Sequence, residues 1–170
     1  MFYLDNKILN MESNHEYIKI IKYLENLFLK DNKVDILLSI IGYSWYLFVE
    51  APCLFPTLTN EELDYLRFIW SKYHEIGLKD YQNNDEVCFL LGYTFYLHGF
   101  FIKDITKNEV LGLELIQKSK KITNNDELKS ILEIFINRHK NKKTKKINCS
   151  SKLFKSNSIL DTYFKEIFYN

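Results

Sequence analysis

The side chains of this 170-residue chain that could do chemistry are four histidines, three cysteines and one arginine–histidine pair at helical spacing. His15, His74, His98 and His139 form no HExxH motif, and none has Cys or His neighbours at zinc-ligand spacing. Cys53, Cys88 and Cys149 are an odd number with no close spacing, so neither a disulfide framework nor a CxxC redox site is expected. The chain also has no Gly-rich phosphate loop and no GxSxG turn. The expectation is therefore no catalytic residue, no metal and no cofactor. Each remaining histidine has a plain reading: His98 as a cation at a helix C-terminus, where the helix dipole favours it, His15 in a first turn, and His139 in a basic run.

Arg67 and His74 need separate weighing, because seven residues put both on one face of a helix, two turns apart. An Arg and a His separated by four to six residues resembles the motif of the HEPN ribonucleases, which are all-helical. That resemblance implies Arg67 as the phosphate clamp and His74 as the general acid or base. Phe68 stands where a polar residue usually follows the Arg, and the pair lies in mid-chain. We therefore read Arg67 as bridging to Asp64 and His74 as exposed, with the ribonuclease as the alternative.

Helices must position all of these residues. Only 5 Gly and 2 Pro against 13 Phe and 12 Tyr favour long uninterrupted elements over a many-turned β-fold. Ser13 with Glu16, Thr59 with Glu62 and Thr106 with Glu109 fit the capping box, and Asn83 with Glu86 and Asn124 with Glu127 are weaker versions. The signals predict helices over 14–30, 33–50, 60–76, 84–98, 107–122 and 125–139. Gly77 and Gly99 fall where a left-handed residue ends a helix. The third helix has an apolar stripe of Leu63, Leu66, Ile69, Trp70 and Tyr73 opposite Asp64, Arg67 and Ser71. The second and fourth are apolar nearly all round, which predicts that they form the centre of the fold.

Those two central helices also resemble each other. Ile41, Gly42, Tyr43, Ser44, Trp45, Tyr46 and Leu47 match Leu91, Gly92, Tyr93, Thr94, Phe95, Tyr96 and Leu97 fifty residues on. Gly42 and Gly92 would each let a neighbouring backbone approach. The second copy, with Leu91, Gly92, Phe95, Tyr96, Gly99, Asp104, Lys118 and Ser119, resembles the sel-one-like branch of tetratricopeptide-type repeats over residues 88–122. Such repeats are protein-binding scaffolds of stacked hairpins. The expected fold class is all-α: antiparallel helical hairpins stacked in a repeat-like bundle, with six main helices and a C-terminal amphipathic helix.

Composition divides the chain in three: a helical core over 1–139, a basic, solvated linker over 140–157, and an amphipathic helix over 158–170 docking on the core. That last helix carries Ile159, Leu160, Tyr163, Phe164, Ile167 and Phe168, and so short a helix is marginal alone. Residues 1–137 hold 14 Lys/Arg and 20 Asp/Glu, a balance of −6, whereas 138–170 hold 9 and 2, a balance of +7. The basic run lacks interleaved aromatics, so nucleic acid is not the expected partner. No apolar run reaches the length of roughly 18–20 residues needed to span a bilayer. The first ten residues have no signal-peptide pattern, so a cytoplasmic protein with no membrane partner is expected.

An acidic body without an active site points to a protein that binds another protein. In size, helix content and Lys/Asn/Ile-rich composition the chain resembles the helical immunity proteins of bacterial contact-dependent inhibition systems. That resemblance implies a cognate toxin domain as partner, and an acidic surface suits a basic nuclease. The expected contact residues are Glu61, Glu62, Asp64, Asp80, Asp85 and Glu86. A generic helical-repeat adaptor is the other binding alternative.

Overall fold

The computed structural model describes residues 1–102, 105–140, 142–148 and 151–169, without the side chains of Ala51, Pro52, Ile105 and Thr106. Asp104, Cys149 and the side chain of Thr106, all named above, therefore lie outside the described residues. Among those described, the chain forms α1 (Asn6–Ser13), α2 (Tyr17–Asp31), α3 (Val34–Leu54), α4 (Asn60–Asp80), α5 (Asp85–His98), a 3-10 turn (Gly99–Phe101), α6 (Ile105–Ile122), α7 (Asp126–His139) and α8 (Ile159–Phe168). The fold is all-α. The sole β feature among the described residues is an isolated parallel bridge between Ile147 and Tyr169.

Local chemistry explains where the helices start, and in part differs from the expected caps. Thr59 and Glu62 form the full capping box of α4. The other starts shift by one residue: Asn84 caps α5 through Val87 N–H, and Asn125 caps α7 through Glu127 and Leu128 N–H. Ser13 caps nothing, because it closes an unanticipated helix, α1, and its hydroxyl donates to Leu9 O. Asp5 starts that helix by accepting from Ile8 N–H, so its first turn forms without an apolar run. His15 is in the turn after α1, at φ 57°, not in a helical turn.

The expected glycine stops are also corrected. Asn32 is the left-handed residue that ends α2, at φ 49°, and Tyr81 donates to both its carbonyl and its side-chain oxygen. No described glycine has positive φ. Gly77 is inside α4, where an added Cβ would lie 3.1 Å from Leu91 Cδ1, and Gly99 is right-handed at φ −59°.

α3 and α5 pack against one another at the centre, with α2 and α4 against α3 and α6 against α5. Trp45, Leu47, Phe89 and Leu90 are fully buried, and each such side chain contributes about 1.5–3 kcal/mol of transfer free energy. The two similar segments pack differently. At Gly92 a Cβ would be 2.8 Å from Gly112 O, so α5 and α6 touch backbone to backbone. At Gly42 it would meet side chains, Leu160 Cδ1 at 2.9 Å and Phe2 at 3.0 Å. The backbone approach expected at both glycines occurs only at Gly92, because α3 packs there on α8 and the N-terminal segment.

The basic stretch after α7 is not simply a solvated linker. Arg138 donates to Ile167 O, Lys146 Nζ to Glu166 O and Ile147 N–H to Phe168 O, so the run caps the last carbonyls of α8. Leu153 and Phe154 are buried. Glu127 accepts from Ser151 Oγ, from Lys152 and Leu153 N–H and from Tyr169 Oη. α8 docks with Leu160, Phe164 and Phe168 fully buried, and Phe164 stacks on Phe154 with ring centroids 5.0 Å apart.

Candidate interaction surface

The Arg67 and His74 side chains part company on α4. Arg67 is exposed and pairs with Asp64 at 3.0 Å. His74, expected exposed, is 1% exposed. Its Nδ1 lies 3.1 Å from Trp70 O and its Nε2 2.8 Å from Thr94 Oγ1. A carbonyl only accepts, so Nδ1 carries the proton, and the unprotonated Nε2 shares the Thr94 hydroxyl proton with Leu90 O. Burial pushes the pKa of His74 down to about 3, against the opposing hydrogen bonds. The imidazole is a neutral cross-link between α4 and α5. Two turns give the shared face, but α4 is covered by α5 at His74 and open at Arg67, so no phosphate could touch both groups.

His98 is corrected as well. Trp45 Nε1 donates to His98 Nδ1 at 3.2 Å, and burial lowers the imidazole's pKa, so it is a neutral acceptor rather than a cation at the helix end. His139 lies at the end of α7 and shares a 2.6 Å hydrogen bond with Tyr96 Oη. Among the described residues no cluster of His, Cys, Asp or Glu could hold a metal ion.

The six acids expected to make one contact surface are divided between two ends of α4. Glu61, Glu62 and Asp64 are in its first turns, whereas Asp80, Asp85 and Glu86 lie at its far end and the start of α5. Nineteen residues of helix separate Glu61 from Asp80, roughly 28 Å at about 1.5 Å per residue. Glu62 is tied into the capping box, and burial raises the pKa of the half-buried Glu86. Glu61, Asp64 and Asp80 remain as exposed acids.

Apolar side chains form the more distinctive surface. Phe68, Phe100 and Phe101 are 62%, 48% and 40% exposed. Phe68 and Phe101 line one open groove of about 350 Å³ with Ile102, Asp64, Arg67 and Ser71. Phe100 and Phe101 are 4.2 Å apart by ring centroid, and Phe101 stands edge-on to Phe48 at 5.1 Å. Phe48 in turn contacts Trp70, which anchors the patch on the core. α4 supplies Phe68 because residue 68 falls outside its buried stripe. The 3-10 turn supplies the other two rings, because Asn108 Nδ2 donates to Gly99 O and fixes its start.

Sequence reasoning missed this patch, although Phe68 opposite an apolar stripe was a readable anomaly. Phe100 and Phe101 carried no such signal. No family model, curated protein or solved structure matches the chain.

Proposed function

We propose that the chain is a non-enzymatic protein-binding module, and within that class an immunity protein that occupies and neutralises a cognate bacterial toxin domain. The carrying observation is the exposed aromatic patch of Phe68, Phe100 and Phe101, rimmed by the Asp64 and Arg67 ion pair. Clustered exposed aromatics with a polar rim are the composition of binding hot spots, and a protein with no use for them would be selected to cover them. The acid excess of the first 137 residues supports a basic partner such as a nuclease, since opposite fields speed encounter and exclude wrong partners.

The reading requires a toxin gene directly upstream, and the test is co-expression of the chain with its product. Wild-type chain rescues growth and forms a complex by size exclusion. A Phe68→Ser, Phe101→Ser double variant weakens that complex by at least about 100-fold, or ~2.7 kcal/mol. Phe68→Ser alone, whose ring is 62% exposed, keeps a melting temperature close to wild type, and circular dichroism checks that the double variant is folded. Rescue by the double variant equal to wild type removes the patch from the reading. Cleavage of RNA by purified wild type, lost in His74→Ala, replaces the reading with the ribonuclease.

A further inference from the structure

A second concavity lies away from the aromatic patch, at the seam of α5, α7 and α8. It encloses about 270 Å³, and its walls are Tyr93, Leu97, Phe135, Ile167 and Phe168. Arg138, His139 and Tyr96 complete the lining, so no carboxylate takes part. The Arg138 guanidinium lies 5.8 Å from the Phe168 ring centroid and is steadied by neutral oxygens, Ile167 O at 3.1 Å and Thr144 Oγ1 at 3.3 Å. Those two bonds use two of its five N–H groups. When the Tyr96 hydroxyl donates to His139 Nδ1, the ring proton sits on Nε2, a second donor at the pocket.

An apolar cleft with a fixed cation in its lining selects a ligand with an apolar body and one anionic end. The volume falls just under the roughly 300–1,000 Å³ of pockets for drug-sized ligands, which limits the body to about one ring on a short chain. We infer that the pocket between α5, α7 and α8 binds a small monocarboxylate with an apolar body, the body lying against the half-exposed Tyr96, Leu97 and Ile167 and the carboxylate on the exposed Arg138. A guanidinium presents paired donors to a carboxylate, and the half-exposed apolar side chains of Leu97 and Ile167 beside the Tyr96 ring cover a small apolar body. Neither the aromatic patch on α4 nor a protein partner is needed for this site.

The experiment is a titration of the full chain with 3-phenylpropionate, followed by chemical shifts of the Tyr96, Leu97 and Ile167 resonances. The neutral amide of the same acid is the control. Expected is saturable binding below about 10 mM, at least tenfold weaker for the amide and for Arg138→Gln. Arg138→Lys binds more weakly than wild type but more tightly than Arg138→Gln, because it keeps the charge and loses the paired donors. Leu97→Trp, which fills the cleft from its half-exposed rim, abolishes binding without touching the cation. Circular dichroism confirms the fold of each variant, and Leu97→Trp serves as the deciding variant if Arg138→Gln loosens α8. Equal binding of acid and amide overturns the inference, as does no saturation by about 10 mM or unchanged binding in folded Leu97→Trp.

Discussion

Burying His74 without a charged partner makes protonation a property of the unfolded chain. Above pH ~6.5 both states are neutral at this residue. Below it the unfolded chain takes up a proton that the folded chain refuses until about pH 3. Stability therefore falls as pH drops through that window, by up to ~1.4 kcal/mol per pH unit. Urea unfolding of wild type and His74→Leu at pH 7, 5 and 4 checks this. The variant is less stable at pH 7, because the hydrogen-bonded cross-link from Trp70 O through the imidazole to Thr94 is lost, yet it loses less stability on acidification. Parallel loss in both proteins would show that other groups carry the acid sensitivity. Glu25 has a comparable role at the surface: it accepts from Tyr65, Tyr73 and Lys72 and clasps α2 to α4. Burial, and then this carboxylate, raise the pKa of both tyrosines on α4 well above the ordinary phenol value.

At the scale of elements, two contacts decide the packing. Gly92 and Gly112 let α5 and α6 meet at their backbones, with a Cβ at Gly112 only 2.6 Å from Tyr96 N. Gly112→Ala is expected to destabilise by about 1–3 kcal/mol or more, since neither backbone can yield without moving a helix. Chemical denaturation of Gly112→Ala beside Gly77→Ala measures it, and Gly77→Ala is the milder because only the flexible end of Leu91 must move. The second contact is Glu127 holding the last segment. Burial raises its pKa, but its bonds from Tyr169, Lys152, Ser151 and Leu153 outweigh that and leave it below the usual carboxylate value. A depressed carboxyl stabilises above its unfolded pKa, and that stabilisation is lost as pH falls through the folded value. Glu127→Ala is expected to speed tryptic cleavage within 140–146 with a stability loss of about 1–3 kcal/mol. Unchanged cleavage would mean that buried Leu153 and Phe154 and the bonds of Lys146 and Ile147 to α8 hold the segment without Glu127.

For the whole molecule, the C-terminal helix completes the core rather than decorating it. Phe164 contacts Trp45, Phe89 and Tyr93, and Leu160 lies against Gly42. Its start is fixed by Ser158 accepting from Asp161 N–H and by Glu12 accepting from Ile159 N–H. Glu12 also accepts from Tyr43 Oη at 2.5 Å, and burial raises its carboxyl pKa despite these bonds. Removing residues 158–170 uncovers aromatic surface of α3 and α5. The truncated chain is expected to keep helical circular dichroism, lose near-ultraviolet dichroism and bind a hydrophobic dye. A cooperative unfolding transition in the truncated chain would show that the first seven helices suffice. Among the described residues no helix is long and apolar enough to cross a membrane.

The sequence by itself determined the class of fold and the identity of its centre. Apolar spacing fixes which stripe of α4 is buried, and all-round apolarity fixes α3 and α5 inside, because both are properties of consecutive residues on one helix. The Thr59 and Glu62 cap was legible for the same reason, whereas α1 was missed because its start rests on Asp5 and it has little apolar stripe. Tertiary structure decided everything that depends on which helix covers which. Only α5 packed on α4 separates buried His74 from exposed Arg67. Only the return of α8 turns the basic run into a cap and closes the Arg138 pocket, and only the 3-10 turn brings Phe100 and Phe101 to Phe68. Contacts between residues far apart in sequence leave no periodicity to read, and a helical wheel shows a face without showing its neighbour.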